Sequence, residues 1–109
     1  MTTFDMAYNL ISQNAANVDT SRLGGENISI EMELVGAGGG VMSADLRGGV
    51  ITVRRGPAAR PDSIITMTTG DFERLINGTL SPMQGLFSGR IRVQGDISVL
   101  NRLQGVLGF

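Results

Sequence analysis

The side chains that carry most enzyme chemistry are absent from this sequence. There is no Cys and no His, so no thiol nucleophile, imidazole base or conventional zinc site can be built. Every basic residue is Arg and none is Lys, which removes Schiff-base catalysis. Carboxylates and guanidinium groups remain. Glu31, Glu33 and Asp45 are candidates for holding a hard cation or for acid–base work. Their alternate spacing, however, puts them on one polar strand face together with Arg47 and Arg54, which predicts a solvated charge ladder. Arg90 and Arg92 are candidates for an anionic head group or bilayer, with surface ion pairing as the expectation. Asp71 and Glu73 are read as partners of a helix dipole.

Composition narrows the classes further. The chain has 109 residues, 41% of them apolar and 17% charged, with a formal net charge of −1. That predicts one domain over 1–109 with a real core, and not a disordered chain. The broad basic footprint of a nucleic-acid binder is missing. No apolar run approaches the roughly 18 residues a membrane span needs. Met1-Thr2-Thr3-Phe4-Asp5 does not read as a signal peptide, and Leu107-Gly108-Phe109 carries neither a peroxisomal address nor a lipidation Cys. The expectation is a cytoplasmic protein that uses no cofactor and no metal, makes at most transient membrane contact, and is not an enzyme. Gly36-Ala37-Gly38-Gly39-Gly40-Val41 shares spacing with a dinucleotide fingerprint. The third glycine falls on Val41, though, and the stretch joins two alternating runs, so it reads as a hairpin loop.

The elements that must position these residues follow from periodicity. Phe4, Ala7, Leu10, Ile11 and Ala15 lie at helical spacing and predict an amphipathic helix over 4–18, with Thr3 as N-cap. Leu23-Gly24-Gly25 is a turn. The period then drops to two: Ile28, Ile30, Met32 and Leu34 alternate with polar residues, as do Met42, Ala44 and Leu46. A third strand covers 50–54 after Gly48-Gly49, and a fourth covers 63–68 after the breaker stretch 56–61. Thr68 or Thr69 caps a short helix with apolar face Phe72, Leu75 and Ile76, ending at Gly78. Ser81-Pro82-Met83-Gln84 reads as a capping box that opens a second short helix ending at Gly89. A fifth strand is predicted over 90–94 with both arginines on the wet face. Asp96 then caps a closing helix with inward Leu100, Leu103, Val106 and Leu107. The order α-β-β-β-β-α-α-β-α is an α+β layer, a five-stranded mainly antiparallel sheet with helices on its dry face.

This order, and the wording of the second half, resembles the sterol carrier protein 2 family. The residues that carry the resemblance run from Asp62-Ser63-Ile64-Ile65-Thr66-Met67-Thr68 through Asp71-Phe72, Leu75, Gly78, Ser81-Pro82, Leu86-Phe87, Gly89-Arg90-Ile91-Arg92-Val93 and Gly95-Asp96. Family members usually carry Asn-Pro and Gly-Lys where this chain has Ser81-Pro82 and Gly89-Arg90, and both replacements keep the local physics. The resemblance implies an apolar tunnel between sheet and helices that binds fatty acids, acyl derivatives, sterols or other lipids without catalysis. It also implies a stand-alone, bacterial-type member. The missing C-terminal tail and the glycine-heavy hairpin 36–40 depart from the vertebrate pattern and point away from sterol and from peroxisomes.

On this reading the ligand is lined by Phe72, Leu75, Ile76, Leu80, Met83, Leu86 and Phe87 of the short helices, by Leu100, Leu103 and Leu107 of the closing helix, and by Met32, Met42 and Met67 of the sheet. The competing reading of each residue is plain core. Methionines adapt to variable apolar guests, and helices of about two turns are unstable alone and can open as a lid. An empty apolar cavity of ~300 Å³ costs roughly 7 kcal/mol, comparable with a small domain's stability, so the pocket is expected occupied or collapsed. The rival reading is an interaction module with a filled core, which dimerises or presents substrate to a partner enzyme.

Overall fold

The computed structural model describes residues 1–17 and 27–98. Its elements are α1 (Thr3–Asn17), β1 (Ile28–Val35), β2 (Gly40–Arg47), β3 (Val50–Arg55), β4 (Ser63–Thr68), α2 (Thr69–Asn77), α3 (Pro82–Ser88) and β5 (Arg92–Gly95). The predicted closing helix, with Leu100, Leu103, Val106 and Leu107, lies outside the described residues, as does the turn at 23–25.

The five strands form one sheet in the order β3-β2-β1-β4-β5. Three of its pairings are antiparallel, and β1 pairs with β4 in parallel. The sheet is therefore mixed, mainly antiparallel, with one parallel seam that alternation alone does not reveal. Cross-strand register assembles the dry face: Met32 opposes Met42 on one side and Ile65 on the other, while Leu34 opposes Met67. Ile30, Met32, Met42, Ile65 and Met67 are buried there beneath Phe4, Ala7 and Ile11 of α1 and Phe72 and Leu75 of α2. α1 lies over β3 and β2, where the Tyr8 hydroxyl donates to the Val53 carbonyl at 3.3 Å. Arg55 clamps the outer side of α1, 4.4 Å over the Tyr8 ring and 3.1 Å from Asp5. α2 lies over β4 and β1.

The polar face departs from the predicted solvated ladder. Glu31, Asp45, Ser29 and Ser43 are buried. The reason is the β3-to-β4 connection, residues 56–62, which crosses this face because both strands run the same way with β2 and β1 between them. Ala58 N donates to Glu31 Oε1 at 3.0 Å, and Ser29 N donates to Asp62 Oδ2 at 2.7 Å. Asp45 accepts from Ser29 Oγ at 2.5 Å and is paired with Arg54. Burial pushes the Asp45 carboxyl up, but these partners outweigh it and hold the group below its ordinary value. Glu33 moves the other way: sharing a hydrogen bond with the Glu31 carboxyl favours its protonated form.

Two ends also differ from expectation. Thr2, not Thr3, caps α1, since Asp5 N donates to Thr2 Oγ1 at 3.1 Å while Thr2 N donates back to Asp5 Oδ2 at 3.2 Å. The Thr3 hydroxyl instead donates to Glu73 Oε1 at 2.7 Å and ties α1 to α2. β5 starts at Arg92, so Arg90 leaves the predicted wet face for the helical side.

Candidate site: a groove between the two short helices

Local rules build this site. Thr68 caps α2 by accepting from Asp71 N, and Gly78 closes it in the left-handed region at φ 77°. Three residues on, Ser81 accepts from Gln84 N in a full capping box, Pro82 opens α3, and Gly89 closes it at φ 78°. The two helices are thus separately capped pieces joined by a short connection. α3 is seated through Gly85: a Cβ there would stand 2.4 Å from Ile91 Cδ1, so any larger residue would force the Ile91 side chain or the helix to shift. Ile91 N donates to Gly85 O at 2.9 Å and fixes the same contact.

Between them opens a groove of about 710 Å³, lined by Arg74, Thr79, Leu80, Gln84, Phe87, Ser88 and Arg90. Leu80 forms its buried floor, and Phe87 is 84% exposed at its wall. At one end stands Asp71, 5% exposed, whose Oδ1 accepts from Arg74 Nη1 at 2.7 Å and from Arg90 Nη1 at 3.1 Å. Burial raises the Asp71 carboxyl, but the hydrogen bonds of Arg90, Arg74 and Thr68 prevail and hold it below the usual carboxylate range. Asp71 is thus more than a dipole partner; it anchors two cations from different elements. A smaller hollow of about 280 Å³ over Asp45, Arg47, Val50, Thr52 and Arg54 lies on the polar face, and its carboxylate is already paired with Arg54.

The candidate ligand residues separate into three groups. Met32, Met42, Met67, Phe72, Leu75 and Leu80 are brought together as core, with Leu86 packed against them in part. The first four are 1–2% exposed, so the layers close tightly around them. Ile76, Met83 and Phe87 are not in that interface; they face solvent. The spacing of Phe72, Leu75 and Ile76 suits one helix face, but Leu75 takes the inward position and leaves Ile76 on the flank. Likewise Gly85 and Leu86 seat α3, which turns Met83 and Phe87 (one helical turn apart) outward. Leu100, Leu103 and Leu107 lie outside the described residues. Among the described residues no three His, Cys, Asp or Glu side chains gather as a metal site, and no helix is long and apolar enough to cross a membrane.

The α+β layer and this arrangement of short helices are those of a lipid-carrier class of domains, and the chain belongs to the SCP-2 sterol transfer family, whose sequence profile matches residues 9–108. Among curated proteins it is similar to mouse hydroxysteroid dehydrogenase-like protein 2, at 31% identity over 78 residues covering 71% of this chain and 16% of that protein. The chain therefore spans about a sixth of that relative's length. Among solved structures it shares its fold with sterol carrier protein 2 like 2 of Aedes aegypti, with a TM-score of 0.72, 21% identity and coverage of 93% of each chain. The palmitated form of that Aedes aegypti protein superposes with a TM-score of 0.69 at 23% identity, covering 100% of this chain and 96% of the other.

Proposed function

We propose that this domain, residues 1–109, is a non-catalytic carrier of a long acyl chain, which it takes up between α3 and the body of the fold. The observation that carries this reading is the packing of α3. Its buried residue is Gly85, while Met83 and Phe87 stand in solvent beside an open groove floored by Leu80. A helix that spends two large apolar side chains on water is poised to cover something apolar. The core under α1 and α2 contains Met32, Met42 and Met67, whose flexible thioethers re-pack at little cost when a guest enters. Each methylene buried contributes about 0.8 kcal/mol, so an acyl chain offsets the loss of the Gly85–Ile91 contact as α3 swings out. The lipid-transfer family and the palmitated relative with the same fold support the acyl class. The absence of thiol, imidazole and amine side chains supports a carrier over an enzyme. Displacement of a fluorescent fatty acid tests the proposal. Saturable micromolar binding is expected, and folded protein with none would end it.

The closed packing of Met32, Met42, Met67 and Phe72 favours a second reading, a filled scaffold that dimerises or presents substrate to a partner enzyme. The resemblance to a segment of a much longer dehydrogenase-like protein is in line with it. Native mass spectrometry separates the two, since a carrier retains a small mass and a scaffold binds only protein.

A further inference from the structure

Two guanidinium groups from different elements meet on a single buried oxygen. Arg74 reaches Asp71 Oδ1 from within α2, and Arg90 reaches the same atom from the turn after α3. Each guanidinium has five N–H donors, and each side chain remains about half exposed at the groove it lines. One carboxylate offsets only one of the two cations. The neighbouring Glu73 keeps its charge but accepts from the Thr3 hydroxyl of α1 and does not line the groove. From residue 74 to residue 95 the sequence holds three arginines and no Asp or Glu, within a chain of net charge −1. The same groove has Leu80 as its floor and Phe87 as its wall. The groove thus sets two apolar side chains beside two cations, with Thr79, Gln84 and Ser88 completing its lining.

We propose that Arg74 and Arg90 form a head-group site for a single-chain amphiphile bearing an oxyanion, a carboxylate or a phosphate. The proposal rests on the carrier reading above and adds what that reading leaves open, the choice of head group. Asp71 has already gathered the two cations, so their mutual repulsion is met before binding and an arriving oxyanion finds a preorganised fork of net positive charge. The acyl chain then runs over Leu80 and under Phe87.

The test is competition for a fluorescent fatty acid on the full chain by dodecanoate, dodecyl phosphate and dodecanol. The oxyanions are expected to bind about tenfold more tightly than the alcohol, as for a charge-assisted hydrogen bond at a partly exposed site. Arg74→Gln and Arg90→Gln each leave Asp71 one guanidinium partner, and each should bring dodecanoate to the level of dodecanol without changing dodecanol itself. Arg92→Gln makes the same charge change on the opposite face of the sheet, where Arg92 opposes Thr66, and should keep the preference. If wild type binds dodecanoate and dodecanol equally, the head-group site is overturned and the carrier reading stands. If none of the three competes, both fall. An Arg92→Gln loss equal to that of Arg90→Gln would assign the preference to diffuse charge and overturn the site. Binding to phosphatidylglycerol vesicles without dodecanoate binding would assign the arginines to a membrane contact and overturn it as well.

Discussion

Asp71 shows how much one carboxylate can organise. Its place in the first turn of α2 was legible, as was the glycine at 78, while the cap was narrowed to Thr68 or Thr69 and proves to be Thr68. Its burial was not, because Arg90 lies 19 residues away and strand alternation assigns that arginine to the wrong face. A pH experiment reads the consequence. Asp71 and Asp45 are both held below their ordinary value of 3.8 in the folded state. The stability they supply is therefore complete above the unfolded value and is lost as pH falls through their folded values. The urea midpoint should hold steady near neutrality and drop below about pH 4. Asp71→Asn should blunt that drop and cost about 1–2 kcal/mol at pH 7, since its arginine partners are half exposed. Glu33 carries the opposite sign: its folded value is raised above 4.5, so its contribution is present in acid and lost as pH rises through that folded value. Glu33→Gln should leave stability at pH 7 unchanged or higher by about 0.5 kcal/mol, measured in the same titration. The buried Glu31 beside it was misread as solvated because nothing in β1 announces that residues 56–62 pass over it.

At the scale of elements, the best-read features obey neighbours only a few residues away. The capping box at Ser81, the proline at N1 and the left-handed glycines at 78 and 89 are all where sequence places them. The outward turn of Met83 and Phe87 depends instead on Gly85 meeting Ile91, a contact between elements that helical spacing does not encode. Two substitutions examine it. Ser81→Ala should cost about 1 kcal/mol, seen as faster hydrogen exchange confined to the amides of α3. Gly85→Val should push α3 off Ile91 and lower stability by about 1–3 kcal/mol. Adding Ile91→Ala, which vacates the space the new side chain needs, should return α3 to its seat. A double variant no more protected in α3 than Gly85→Val alone would show that another contact holds the helix.

For the molecule as a whole, the class and layer order were readable from the switch between periods of 3.6 and 2, whereas the pairing was not. Alternation says which side of a strand is greasy and is silent about which strand lies beside it, so the parallel β1–β4 seam came only with coordinates. The carrier reading makes a prediction at this scale. A guest bound only by the folded state at 100 times its dissociation constant stabilises by about 2.7 kcal/mol. Dodecanoate at that excess should therefore raise the midpoint of thermal unfolding by roughly 10 °C, while an equal concentration of acetate should not move it.

The span from Gly56 to Asp62 has a bearing on traffic. It is stitched to the sheet by main-chain bonds to Val41 and Ser29 as well as by Glu31, so that flank is laced shut along its middle. Among the described residues the helical flank is held less evenly: α2 is buried through Phe72 and Leu75, whereas α3 rests on a glycine. On the carrier reading proposed above, loading and unloading among the described residues would then share the α3 side, and a passenger would leave by the side on which it boarded.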